Sequence, residues 1–153
     1  MDSYDDKKDD DYKSYSKEDS YGKDKCPSRQ DTVPFNRMCY PEGMGASSII
    51  GYFFNWQVSN TVPLYAVYNS KSKDYFYTTD KEEKREAIEH KGYESKDIAG
   101  YIFPESSCGC VALFRLYDFK GCQHFYTTSE EEKQKAISWG YKFEGIEGYV
   151  FQW

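Results

Sequence analysis

The sequence predicts an α+β domain made of tandem β-hairpin–helix–strand units, two complete and one truncated. Three observations lead there. The chain is duplicated internally, with residues 62–103 and 111–151 repeating one residue order, and such periods define a fold before any other signal does. Aromatics (16 Tyr, 10 Phe and 3 Trp) occupy 19% of the 153 positions, whereas Leu occurs only at Leu64, Leu113 and Leu116. A helical bundle is built on Leu, Ile and Ala at heptad-like spacing, so that class is excluded. Finally, each long copy holds one capped helical stretch between β-branched and aromatic runs. Because three related units suggest a pseudo-threefold arrangement, a trefoil-like all-β fold with helical insertions is the alternative.

The elements follow in order. Met1 to Lys25 holds nine acids, six lysines and four tyrosines, with no aliphatic residue beyond Met1. Such a segment buries too little apolar surface to offset its ordering entropy, so residues 1–25 are expected to be a disordered acidic tail. It lacks the apolar stretch of a signal peptide. Residues 26–153 are expected to form a single repeat domain with units at about 33–54, 62–103 and 111–151. Val33-Pro34-Phe35 begins like Val62-Pro63-Leu64, and Ile49 to Phe54 ends like Ile98 to Phe103. Between those ends the first copy is 20 residues shorter than the second, so it lacks the FYTT strand and the helix.

In the third copy, VALFRLY and QHFYTT flank the turn Asp118-Phe119-Lys120-Gly121 and read as a hairpin. Thr128-Ser129-Glu130-Glu131 and Thr79-Asp80-Lys81-Glu82 read as capping boxes opening helices near 129–138 and 80–90. Gly140 and Gly92 supply the left-handed stops. A short final strand, GYIF or GYVF, closes each copy.

These motifs (FYTT, the capped helix, GY and I-x-GY-x-F) resemble an uncharacterised aromatic-rich tandem-repeat family of fungal and bacterial proteins. Its consensus reads roughly PLYRLYN…DHFYTTS…GYxxEGIxGYVF, and the resemblance covers about residues 33–153. Members often look secreted, with repeats sometimes attached to peptidases or wall-degrading hydrolases. The resemblance therefore implies an accessory binding role. This chain departs at the DH pair, which is Asp74-Tyr75 in the second copy and Gln123-His124 in the third.

A four-residue loop pairing Tyr117 with Cys122 would place Arg115 opposite His124 and Leu113 opposite Tyr126. Period-two alternation puts Phe114, Leu116 and Phe125 on the other side, which is the better core candidate. Tyr117, Arg115, His124 and Tyr126 then form an aromatic and cationic patch, with Tyr68, Ala66, Tyr75 and Tyr77 at the matching positions of the second copy. An aromatic platform with polar tips suits stacking on sugar rings. The alternative is that this face lies under a helix or a neighbouring unit. Trp139 is a further ligand-binding candidate, because it replaces a charged stretch of the other helix and the repeat does not require it. Trp56 and Trp153 are secondary.

Five cysteines occur, at positions 26, 39, 108, 110 and 122. Cys110 and Cys122 would lie roughly 23 Å apart along the hairpin at ~3.3 Å per residue, so a shared metal site is not expected. A disulfide tying Cys26 or Cys39 to Cys108 or Cys110, with one thiol left over, suits an oxidising compartment. Five free thiols in the cytosol are the alternative. His90, at the end of a helix, and Glu130 to Glu132, at the start of one, are explained by the helix dipole. No nucleophile or telling carboxylate accompanies His124, so neither an enzyme nor a cofactor is expected.

Function follows from these expectations. The formal charge of −6 argues against nucleic-acid backbone binding, and no apolar run approaches the ~20 residues of a membrane span. The expected partner is a glycan or cell-wall polymer, bound by a secreted or cell-surface, non-catalytic, lectin-like module. The competing reading is a structural or protein-interaction protein acting through its tail; deleting residues 1–25 would then abolish partner binding without unfolding the domain.

Overall fold

The computed structural model describes residues 26–152; the expected tail and Trp153 lie outside the described residues. After a 3₁₀ turn at Arg29–Asp31 come β1 (Val33–Asn36), β2 (Ile49–Phe53), β3 (Val62–Asn69), β4 (Asp74–Thr78), α1 (Lys81–His90) and β5 (Glu94–Ser95). Then follow β6 (Gly100–Ile102), β7 (Val111–Asp118), β8 (Gln123–Thr127), α2 (Glu130–Ser138) and β9 (Lys142–Val150). The domain is mostly β, with two short helices. All pairings are antiparallel: β1 with β2, β3 with β4, β5 and β6, and β7 with β8 and β9.

Three local expectations are corrected. In the β7–β8 hairpin, Tyr117 lies opposite His124 and Arg115 opposite Tyr126, two residues from the expected register. Cys122 is drawn out of the ladder by a disulfide to Cys39, and Gln123 enters β8 at φ 65°. A two-residue slip keeps every side chain on its face, so the division into two sets survives. The last strand is also longer than GYVF, because β9 continues back to Lys142. Its register shifts twice against β7, and these bulges break the period-two pattern that would have revealed it.

Helix capping moves by one residue. Asp80 and Ser129 are the caps: Asp80 accepts from the Glu82 and Glu83 amides, and Ser129 from that of Glu132. The preceding threonine relays the box. Thr78 Oγ1 donates to Glu83 (2.6 Å) and accepts from the Asp80 amide (3.0 Å), and Thr127 does the same between Glu132 and Ser129. Thr128 instead donates to the Ile50 carbonyl. Gly92 and Gly140 have φ of 80° and 102°, so each helix stops where a side chain would be strained.

Both hairpin faces are covered. Leu116 and Phe125 pack under α2 with Ala136 and Tyr141, as Val67 and Phe76 pack under α1 with Ala87. The opposite faces contribute Leu64, Ala66, Tyr77, Leu113 and Tyr126 to a central cluster with Phe35, Ile50 and Phe53. At one end, three bridges close a ring: Phe54 with Tyr101, Phe103 with Tyr149, and Phe151 with Tyr52. Phe54, Phe103 and Phe151 meet edge to face inside it, with centroids 6.1–6.3 Å apart.

A glycine from each segment permits this closure. A Cβ on Gly51 would sit 2.8 Å from Val150 Cγ2, one on Gly100 would sit 2.7 Å from the Phe53 ring, and one on Gly148 would sit 2.5 Å from Ile102 Cδ1. The Gly148 Cβ would also lie 2.8 Å from the Phe103 carbonyl oxygen, which cannot rotate away. Gly148→Ala should therefore destabilise by about 1–3 kcal/mol, the usual cost of overpacking, read as a lower urea midpoint.

Two disulfides join distant parts of the chain: Cys26–Cys108 and Cys39–Cys122, with Cα–Cα distances of 5.6 and 5.8 Å. The first is one of the expected pairings. The second was not, and Cys110 is the thiol left over.

Candidate functional site

A cleft of about 520 Å³ lies where the second and third segments meet. The sequence dictates its walls. Alternation along β7 and β8 sends Arg115, Tyr117 and His124 to one face of the hairpin, toward β4 and α1. Capping fixes Glu83 on the first turn of α1. Tyr93 follows Gly92 at the helix stop, and the bulged β9 supplies Glu144. Phe76 and Phe119 complete the apolar lining.

Arg115 is the centre of this wall. It is 8% exposed and binds three carboxylates from two elements. Its Nη1 and Nη2 donate to Glu83 at 3.1 and 2.8 Å, and its Nε to Glu144 at 2.9 Å. Nη1 also lies 2.9 Å from Glu147, and the guanidinium stacks 4.9 Å above the Phe76 ring. Burial alone would lower its pKa, but the Glu83 hydrogen bond and the surrounding negative charge raise it, so it is permanently cationic. Burial likewise works to raise the Glu83 carboxyl, yet hydrogen bonds from Arg115 and Thr78 outweigh it and hold Glu83 below its ordinary value. Glu147 goes the other way: burial raises its pKa more than Arg115 lowers it, and the Glu83 charge adds to the rise.

Asp74 and His124 form the second part. Asp74 is 1% exposed, and its Oδ1 accepts the His124 backbone amide at 3.0 Å. Its Oδ2 lies 2.6 Å from both His124 Nδ1 and the Tyr93 hydroxyl. A carboxylate can only accept, so Nδ1 carries a proton toward Asp74, and Nε2 is the ring nitrogen turned to the cleft. Nε2 lies 3.6 Å from Glu144. The ring is wedged between Phe76 and Tyr117, at centroid distances of 4.5 and 4.9 Å. The Asp and His that stand in different copies of the sequence are thus one hydrogen-bonded pair across the boundary between them.

Of the two readings of this face, the one that places it under a neighbouring unit holds for Tyr126, Tyr77 and Arg115. Tyr126 and Tyr77 are buried side by side: the Tyr126 hydroxyl donates to the Tyr77 carbonyl and accepts its amide, both at 2.8 Å. Arg115 is buried too. Of the predicted ligand-binding residues, Tyr117, Arg115 and His124 line the cleft. Tyr68 and Tyr75, half-buried, lie tilted against each other outside it, with centroids 4.5 Å apart. Trp139, the C-cap of α2, is exposed and sits beside Gly43, away from the cleft. Sequence reasoning missed Asp74, Glu83, Tyr93, Glu144 and Glu147.

Among the described residues, only this boundary carries the whole set. The position of Arg115 is Ala66 in the second segment and Arg37 in the first; that of His124 is Tyr75, and that of Asp74 is Gln123. Arg37 reaches Glu132 of the third segment at 3.5 Å, as Arg115 reaches Glu83 of the second. Its cleft, about 320 Å³, has neither Asp nor His. The first segment has no helix to offer a glutamate, and Ala66 is what remains there. Burial pushes the Cys110 thiol up to about 12, which disfavours the thiolate form. No group of three or more metal-ligating side chains occurs among the described residues.

Fold and site together define a disulfide-linked, β-rich domain with one polar, aromatic-edged cleft between its segments. The chain belongs to the family described as Domain of unknown function (DUF5648), matched over residues 12–151. Comparison with curated proteins and with solved structures gave no match. No helix among the described residues is long and apolar enough to cross a membrane.

Proposed function

We propose that this chain is a non-catalytic, lectin-like module of a secreted or cell-surface protein that binds carbohydrate or a cell-wall polymer in the cleft between its second and third segments. In this reading three related units close around a pseudo-threefold axis, and the ring of Phe54, Phe103 and Phe151 marks its end. One observation carries the binding assignment. The cleft brings fixed hydrogen-bonding groups (His124 Nε2, Glu144, Asn69, Gln123) beside the rings of Tyr117, Tyr93 and Phe119, and Phe119 is 76% exposed. Sugars are recognised by that mixture: an aromatic face for the apolar side of the pyranose and rigid polar groups for its hydroxyls. Two disulfides accord with an oxidising compartment.

A soluble-oligosaccharide array followed by calorimetry tests this. The folded protein should bind at least one oligosaccharide class with one site per chain, because only one boundary has the complete set. Tyr117→Ala should weaken binding about tenfold or more, equivalent to ~1.4 kcal/mol, and Trp139→Ala should leave it unchanged. An array without any bound glycan would overturn the assignment.

His124 supports a second reading. An imidazole whose Nδ1–H is held by a buried aspartate has the geometry of a general base. Incubation with a bound oligosaccharide separates the two, since a binding module returns it intact and a catalyst returns fragments that His124→Gln abolishes.

A further inference from the structure

The charge distribution in the cleft points to a more specific ligand, and this step rests on the binding assignment just made. Three carboxylates, Glu83, Glu144 and Glu147, surround the single guanidinium of Arg115. Glu83 is matched to Arg115 through both of its oxygens. Glu147 is the deepest of the three, at 10% side-chain exposure, and burial raises its pKa. Asp74 is enclosed by His124 and Tyr93.

Glu144 differs from these. It is 23% exposed and lines the cleft. Oε1 receives Arg115 Nε, and no hydrogen bond within the described residues engages Oε2. An unengaged carboxylate oxygen therefore sits on the cleft wall, near His124. Lys91 is the other basic residue of the lining. The same wall holds the Ser72 hydroxyl, a covered polar atom with no partner. A carboxylate oxygen left unengaged beside aromatic walls suits a ligand ammonium, which gains both the carboxylate and the ring faces.

We propose that the cleft recognises a sugar bearing a free primary amine, with the ammonium group on Glu144 and the pyranose ring against Tyr117 and Phe119. The ammonium then forms a charge-assisted hydrogen bond to Oε2, whereas an N-acetyl group at the same place would present an uncharged, bulkier amide. Phe119 and Tyr117 favour a ring-shaped ligand over a lysine side chain, which has no flat face to lay on them.

The test compares three probes by calorimetry at pH 6: the β-1,4-linked glucosamine hexamer, the N-acetylglucosamine hexamer and hexalysine. The free amine sugar should bind about tenfold or more tightly than its acetylated counterpart, and hexalysine should bind weakest. Glu144→Gln, which keeps size and shape, should bring the two sugars to within about threefold of each other, with an unchanged near-ultraviolet dichroism spectrum confirming its fold. Equal binding of the two sugars by the native chain would overturn the amine preference and leave carbohydrate binding standing. Tighter binding of hexalysine would overturn the sugar as ligand. If none of the three binds and the array is also blank, the binding assignment itself fails.

Discussion

Arg115→Ala is expected to lower the unfolding free energy by about 3–5 kcal/mol at pH 7, the cost of leaving buried charges unpaired. Among the described residues the guanidinium is the only positive group in hydrogen-bonding contact with Glu83 and Glu144, and it is the ion-pair partner of Glu147. Removing it strands these carboxylates between α1 and β9, and strips Phe76 of the group stacked on its face. Two causes are thereby mixed, lost packing and uncompensated charge, and pH separates them. In the native protein Glu83 lies below its ordinary value, so its contribution is fully present above the unfolded carboxylate pKa and is lost only as pH falls through the lower folded value. In the variant the stranded carboxyls titrate above their unfolded values, and stability then rises as pH falls through them. Between pH 7 and pH 5 the deficit should therefore shrink, as followed by urea unfolding at a series of pH values. A pH-independent deficit would assign the effect to packing alone.

The contrast between Arg115 and Ala66 explains how much of this site could be read in advance. The alternation of β7 and β8 was legible, and it put Arg115, Tyr117, His124 and Tyr126 on one face even with the register two residues off. What lay beyond reach was the neighbour of that face. Asp74 and His124 occupy almost the same place in successive copies, and alignment sets such residues in parallel rather than in contact. Their meeting depends on the two hairpins packing side by side, which is long-range information. The substitutions do leave a trace: Arg115 and Glu147 in the third segment correspond to Ala66 and Ala99 in the second. A pair of opposite charges replaced together by a pair of small residues is the pattern of two side chains in contact. Glu144 and Glu147 were missed for another reason, since the β9 bulges conceal the strand that carries them.

The fold's other long-range feature, the Cys39–Cys122 disulfide, went unread because Cys122 was located only along its own hairpin. Its removal carries the second large expected effect. The closed loop spans a sequence separation of 83, and the chain-entropy relation gives ~4.5 kcal/mol for a loop of that length. Cys39→Ser with Cys122→Ser should thus move the urea midpoint far down, and Cys26→Ser with Cys108→Ser, closing a loop of 82, should cost a similar amount. The two variants should diverge in ligand binding. Cys122 immediately precedes Gln123 and lies three residues from Phe119, both of which line the cleft. It packs against Phe125 and Tyr141, and its amide donates to the Tyr141 hydroxyl at 3.3 Å. Cutting its bridge frees the 118–123 turn and the cleft edge with it, whereas Cys108 packs by the distant cluster of Phe54, Phe103 and Phe151. Measured well below either unfolding transition, the Cys39/Cys122 variant should bind an oligosaccharide selected on the array about tenfold more weakly, or ~1.4 kcal/mol, and the Cys26/Cys108 variant should bind it as the native chain does. Equal losses in both would mean that global stability, rather than the turn that the disulfide anchors, governs the site.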